Sequence, residues 1–202
     1  MNEKLIIIGA GGHGKVVYDI AESMNIFSKI YFVDDAVLKG SFYKSEVIGT
    51  SLDIHKYKND FNFIIAVGSN SIRTKLQGKL EKSKFEIATL IHDRAIISSK
   101  ANIGVGTVIM PNVVVNADTR IGSGVILNTS SVIEHDCNIG DFCHISPHAT
   151  ICGTVNVGKH SWIGAGVTVI NNLTICDDVI VGAGSVVVRD IYISDSYVGI
   201  VK

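Results

Sequence analysis

From residue 91 onward the chain repeats itself every six residues. Positions 91, 97, 103, 109, 115, 121, 127, 133, 139, 145, 151, 157, 163, 169, 175, 181 and 187 are all Ile, Val or Leu, seventeen in succession. Four places after these anchors stand small or β-branched residues such as Thr107, Ser131, Cys137, Cys143, Ala149, Ser161 and Ser185. A period of six fits neither the 3.6 of an amphipathic helix nor the alternation of an open sheet. A β-sandwich of similar composition would show strands of varied length and turns at irregular intervals. The pattern predicts a parallel β-helix in which each hexapeptide forms one flat side of a triangular prism, the anchor points inward, and three hexapeptides close a coil. Residues i and i+18 should then stack about 4.8 Å apart.

The pattern stops near residue 88, which divides the chain of 202 residues into a domain at 1–88 and the repeat domain at 89–202, meeting directly around residues 86–91. A net charge of −1, with no basic stripe and no Lys/Arg-rich amphipathic helix, argues against nucleic-acid and membrane partners. The apolar run at residues 5–8 is too short for a signal peptide or membrane span, so a cytoplasmic location is expected. Cys137, Cys143, Cys152 and Cys176 form no CxxC pair. Cys137 and Cys143 fall on the small position of the hexapeptide, which reads as packing and turns their thiols inward.

Residues 4–8 read as a strand, residues 9–15 (Gly-Ala-Gly-Gly-His-Gly-Lys) as a loop, and Val16, Val17, Ile20, Ala21 and Met24 as the apolar face of a helix. A second strand at 30–33 ends in Asp34 and Asp35. A third, at 63–67, runs into Gly68 and a helix over 71–81. Three or so parallel strands make an α/β half-Rossmann domain. Gly9, Gly11 and Gly14 satisfy GxGxxG, with Asp34 some 20 residues on, the spacing of a dinucleotide site. The second mononucleotide half is missing, however. What remains is a backbone open to a pyrophosphate at a helix N-terminus, or a glycine turn that merely joins strand to helix; His13 weighs against the turn.

Loop and repeat together resemble the bacterial sugar acetyltransferases of the NeuD and PglD type, over nearly the whole chain. The matching segments are GAGGHGKVV, FVDD, IIAVGSNSIR and NTSSVIEHDCNIGDFCHISPHATICG. The resemblance implies a left-handed β-helix, a homotrimer, acetyl-CoA as co-substrate and a nucleotide-linked amino sugar as acceptor, 4-amino-4,6-dideoxy in type. It places the sugar nucleotide at Gly11, Gly12, His13, Asp34, Asp35 and Gly68. The general base falls on His135, with Asp136 modulating it, and coenzyme contacts fall on His144, Ala165 and Ala183. Relatives commonly close on a GxPAK-like tail, whereas residues 198–202 contain no proline. Sialic-acid O-acetylation, or a non-catalytic nucleotide-sugar-binding trimer, remain open as alternatives.

Seven histidines are too many to act together. In an 18-residue coil His135, His144, His148 and His160 occupy four different rows, so no zinc site is expected. His148 and His160 read as surface residues. His135 stands between Glu134 and Asp136, beneath Gly153 in the next coil, which should leave room for a substrate beside its ring; a carboxylate beside an imidazole fixes its tautomer and makes it a better base. His144 shares a row with Val108, Ile126, Trp162 and Ile180, expected to be an exposed apolar strip flanking the coenzyme. Trp162 packs at a subunit contact or against the coenzyme.

Overall fold

The computed structural model describes residues 3–202 and divides into two compact units between Asp93 and Arg94. In the first unit the strands are β1 (Glu3–Ile8), β2 (Phe27–Val33), β3 (Gly40–Phe42), β4 (Ser45–Gly49) and β5 (Asn62–Ile65); the helices are α1 (Gly12–Ser23) and α2 (Asn70–Lys82). The sheet order is β3-β4-β2-β1-β5. Strand β1 runs parallel to β2 and β5 on its two sides, β4 runs parallel to β2, and β3 is antiparallel to β4. The sheet thus holds four parallel strands and an antiparallel edge. The extra pair is a hairpin that turns through Tyr43 in a left-handed conformation (φ +53°).

Leu5, Ile6 and Ile7 have no exposed surface, as a central strand covered on both faces requires. On one face Ile6, Ile8, Val33, Phe63, Ile65, Leu80 and Phe85 form a single apolar cluster. Helix α2 is capped by Ser69, whose hydroxyl accepts the Ile72 N–H at 3.5 Å, and its last turn carries Lys79 and Lys82 toward the negative end of the dipole.

The second unit is the prism. Its strands are two residues long, and up to the strand at Val186–Val187 each pairs in parallel with the strand 18 residues on, as in Ile126↔His144 and His144↔Trp162; the last coil is shorter, Ile180 pairing with Ser196 and Val186 with Ile200. All anchors from Ile109 to Val187 are at most 4% exposed. A fully buried aliphatic side chain contributes roughly 2 kcal/mol, so the repeat itself supplies the core. Corners follow the same period: every sixth residue from 106 to 184 has φ between +57° and +75°. Gly106, Asn112, Asp118 and Gly124 suit that conformation, whereas Phe142 and Thr154 are held in it against their preference.

The small residue of each hexapeptide does more than fit. Thr107 Oγ1 donates to the Gly122 carbonyl at 2.8 Å and Thr119 Oγ1 to that of Glu134 at 2.7 Å; Cys137 Sγ donates to Cys152 O at 3.1 Å, Cys143 Sγ to Gly158 O at 3.0 Å, and Ser161 Oγ to Cys176 O at 3.1 Å. Each of these bonds stitches a corner to the coil above. Burial pushes the Cys137 thiol above its ordinary pKa, so it stays protonated and inert at neutral pH.

Candidate functional site

His135 and Asp136 occupy the corner that follows the strand Val132–Ile133. Their backbone is pinned from both sides: the Asp136 N–H donates to Ala117 O in the coil below, and the Thr154 N–H in the coil above donates to His135 O, each at 3.0 Å. Asp136 is the left-handed residue of the corner (φ +58°), and His135 Nδ1 lies 2.8 Å from its Oδ2. An ionised carboxylate can only accept, so in the neutral ring Nδ1 carries the proton and Nε2 keeps a free electron pair. Both side chains are more than half exposed. Glu134 turns away and accepts from Asn116 Nδ2 at 2.9 Å, leaving Asp136 as the acid on the ring. Gly153 does not leave room for a substrate. A Cβ built there would sit 2.8 Å from both Cε1 and Nε2 of His135, so the imidazole itself fills the space.

His144 lies on the face His144–Ile145, half a coil further along, with the Asn138–Ile139 face between it and His135. Within one chain the two histidines are therefore on different sides of the prism. His144 stacks flat on Trp162 (centroids 5.6 Å apart, 5° between planes), and its Nε2 is 3.1 Å from Asn128 Nδ2. Trp162 Nε1 donates to Ser146 Oγ at 2.8 Å. The row does not form one exposed strip: Val108 and Ile126 are 1% exposed, while Trp162 and Ile180 are 47% and 45% exposed. Ala165 and Ala183 are exposed and stacked, the Gly184 N–H donating to Ala165 O at 2.8 Å. Beside them Gly166 and Gly184 hold φ of +64° and +69° with open space around them, so this edge carries almost no side chain.

In the first unit Gly11 is the N-cap of α1 and Gly12 its first residue; no side chain caps the helix and no acid stands in its first turn. A Cβ at Gly11, Gly12 or Gly68 would meet nothing within 4 Å, which leaves these backbones approachable. Gly9 and Gly14 serve packing instead. Gly9 has φ +118° and a Cβ there would lie 2.7 Å from Ala66 O, while one at Gly14 would collide with Gly9 O.

Asp34 and Asp35 hold the neighbouring loops. Asp34 Oδ2 accepts the Ala10 N–H at 2.7 Å, and its Oδ1 accepts those of Ala36 and Val37 at 2.8 and 3.0 Å. Burial works to raise its pKa, but these three bonds outweigh it and hold the carboxyl below its ordinary value. Asp35 accepts from the backbone and hydroxyl of Ser51 at 2.7 and 2.9 Å. Ser51 also lines a cavity of about 280 Å³ with Leu52, His55, Leu76, Lys79 and Phe85.

The ring of His13 is turned inward, its Nε2 shielded from water and without a hydrogen-bond partner. Burial, reinforced by the Arg73 guanidinium, brings its pKa down to about 4. Arg73, 1% exposed, escaped the sequence reading although it ends the IIAVGSNSIR segment. Its guanidinium donates to the carbonyls of Val67 and Gly68, each at 3.1 Å, and to Asn70 Oδ1 at 2.8 Å, fixing the loop that carries Gly68. Among the described residues no three His, Cys, Asp or Glu side chains converge in a metal-binding group, and no helix is long and apolar enough to cross a membrane.

Residues 4–80 match the PglD N-terminal domain and residues 118–153 the bacterial transferase hexapeptide family, six repeats. The acetyltransferase domain of PglB from Neisseria gonorrhoeae FA1090 is 39% identical, with a TM-score of 0.94 over 98% of this chain and 97% of that one. The chain belongs to the PglD-type sugar acetyltransferases. The prism of a PglD-type acetyltransferase is the left-handed parallel β-helix of hexapeptide proteins. PerB from Caulobacter crescentus, solved with CoA and GDP-perosamine, is 36% identical with a TM-score of 0.90, over 97% of this chain and 94% of that one. UDP-N-acetylbacillosamine N-acetyltransferase of Bacillus subtilis (strain 168) is 39% identical over 105 residues, 50% of this chain; this chain spans about half (49%) of that curated relative.

Proposed function

We propose that this PglD-type acetyltransferase moves the acetyl group of acetyl-CoA onto the amine of a nucleotide-linked amino sugar, 4-amino-4,6-dideoxy in type, as a cytoplasmic homotrimer. The observation that carries the reading is the 2.8 Å His135–Asp136 pair, which presents a free Nε2 at an exposed corner. The neutral amine attacks the thioester carbonyl carbon while Nε2 takes the amine proton. As the tetrahedral intermediate collapses, the C–S bond breaks and the imidazolium returns the proton to the thiolate, giving CoA and the amide. Backbone N–H groups stabilise the oxyanion. Coenzyme lies along His144, Ala165 and Ala183, where the small edge admits it. The diphosphate takes the open backbone of Gly11, Gly12 and Gly68 at the uncapped start of α1, over His13. Asp34 and Asp35 shape the loops around it, and the cavity beside Ser51 suits the nucleoside.

The relatives support this reading: PerB was solved with CoA and a nucleotide-linked amino sugar, and the gonococcal domain also with acetyl coenzyme A. The test is CoA thiol release with acetyl-CoA and a panel of nucleotide-linked amino sugars, sialic acid included as a hydroxyl acceptor. One thiol per amide formed is expected. Replacing His135 with Ala should lower kcat roughly 10²- to 10⁴-fold without altering assembly. Turnover with sialic acid alone would make the protein an O-acetyltransferase, and binding of a nucleotide sugar with no thiol release would make it a non-catalytic binder.

A further inference from the structure

Most glycines of the coil corners are there because backbone leaves no room. A Cβ at Gly104, Gly122, Gly140, Gly158 or Gly164 would fall on backbone atoms of the next coil, and Gly106, Gly124, Gly166 and Gly184 have positive φ. Gly153 belongs to neither class. Its φ is not positive, and the three atoms nearest to an added Cβ all belong to one side chain: Cε1 and Nε2 of His135 at 2.8 Å and Nδ1 at 3.4 Å. The fold places no obstacle of its own at residue 153. Only the imidazole does.

We propose that Gly153 is a positioning residue for the base: by presenting no side chain it lets the ring of His135 rest against the coil above with Nδ1 on Asp136. The proposal rests on His135 being the base. A methyl group at 153 overlaps two ring atoms and forces the imidazole outward, which the ring can do because it is more than half exposed. The fold therefore tolerates the change. The rotation carries Nδ1 away from Asp136 and breaks the 2.8 Å bond, because the backbone of Asp136 is bonded to the coil below and does not follow the ring. Nε2 then loses both its place and its tautomer, and a displacement of about 1 Å at a reacting group lowers rate by roughly 10²-fold.

The experiment is a cycle of wild type, Gly153→Ala, His135→Ala and the double variant, with kinetics, melting temperature and ¹⁵N spectra of the imidazoles. Gly153→Ala should lower kcat at least tenfold, leave KM for both substrates within twofold, and replace the single Nδ1–H tautomer of His135 with a mixture. In the His135→Ala background the same change should cost no further activity, because the ring through which it acts is gone. That background also removes the overlap, so the double variant folds even if Gly153→Ala alone does not, and its melting temperature should match or exceed that of His135→Ala. Wild-type turnover in Gly153→Ala, or an equal loss in both backgrounds, would overturn the proposal. Full activity in His135→Ala would instead sink the base assignment, and the tautomer spectra would still decide whether Gly153 holds the ring.

Discussion

His13 and His135 sit in opposite settings, one ring turned inward with its Nε2 shielded and a guanidinium nearby, the other half in water against a carboxylate. The first has a measurable consequence for stability. With a folded pKa of about 4 against an ordinary value of 6.5, His13 is neutral in both states above pH 6.5, where the protein has the full benefit. As pH falls from 6.5 toward 4 the unfolded chain binds a proton that the folded chain refuses, and stability drops by on the order of 3 kcal/mol. Urea midpoints at pH 4.5 and 7 should therefore differ more in wild type than in His13→Gln; equal slopes would show that the imidazole is not held neutral. Two residue-level features lay beyond the sequence. Arg73 reads as one of several cations on a polar helix, and only the fold puts it under Gly68. Gly153 reads as empty space beside His135, and only coordinates show whose atoms fill it.

At the scale of the element, the hexapeptide coil separates two kinds of position with opposite responses. Ile151 is a fully buried anchor, so Ile151→Ala should cost about 3 kcal/mol in transfer and cavity terms. Three residues on, Thr154 is exposed and β-branched at φ +64°, so Thr154→Asn should raise stability by about 1 kcal/mol. Guanidinium unfolding of both variants checks the pair; a loss at Thr154→Asn would mean the corner does more than turn. The anchors were legible because burial imposes a strict period on side chains. The corners were only half legible: Asn, Asp and Gly announce the left-handed residue, but Phe142 and His160 hide it. Their stacked rings, 5.9 Å apart, belong to successive coils and cannot be seen in a linear pattern. The β3–β4 hairpin escaped because residues 40–49 lack alternating apolar residues. Burial of Val108 and Ile126 escaped because position in a row says nothing of what covers it.

At the scale of the molecule, His135 and His144 face different sides of one prism. A site that uses both must therefore draw them from neighbouring copies, and light scattering should give three times the 21.7 kDa of the chain. Mixing His135→Ala and His144→Ala chains through an unfolding and refolding step should restore activity to roughly a quarter of wild type, the chance that an intact base meets an intact partner. No recovery from two folded, inactive variants would place both residues in one chain's site. The eighteen-residue register has a further meaning for such an assembly. Height along the axis is counted in rungs of about 4.8 Å, so the span between Ala165 and Ala183 can change only by whole rungs. Eighteen inserted residues would lift everything above them and leave every side facing as before. Six would turn the upper part by a third of a revolution and present the wrong side to the neighbour. The prism is a ruler, and the length of the coenzyme arm it can hold is set in whole marks.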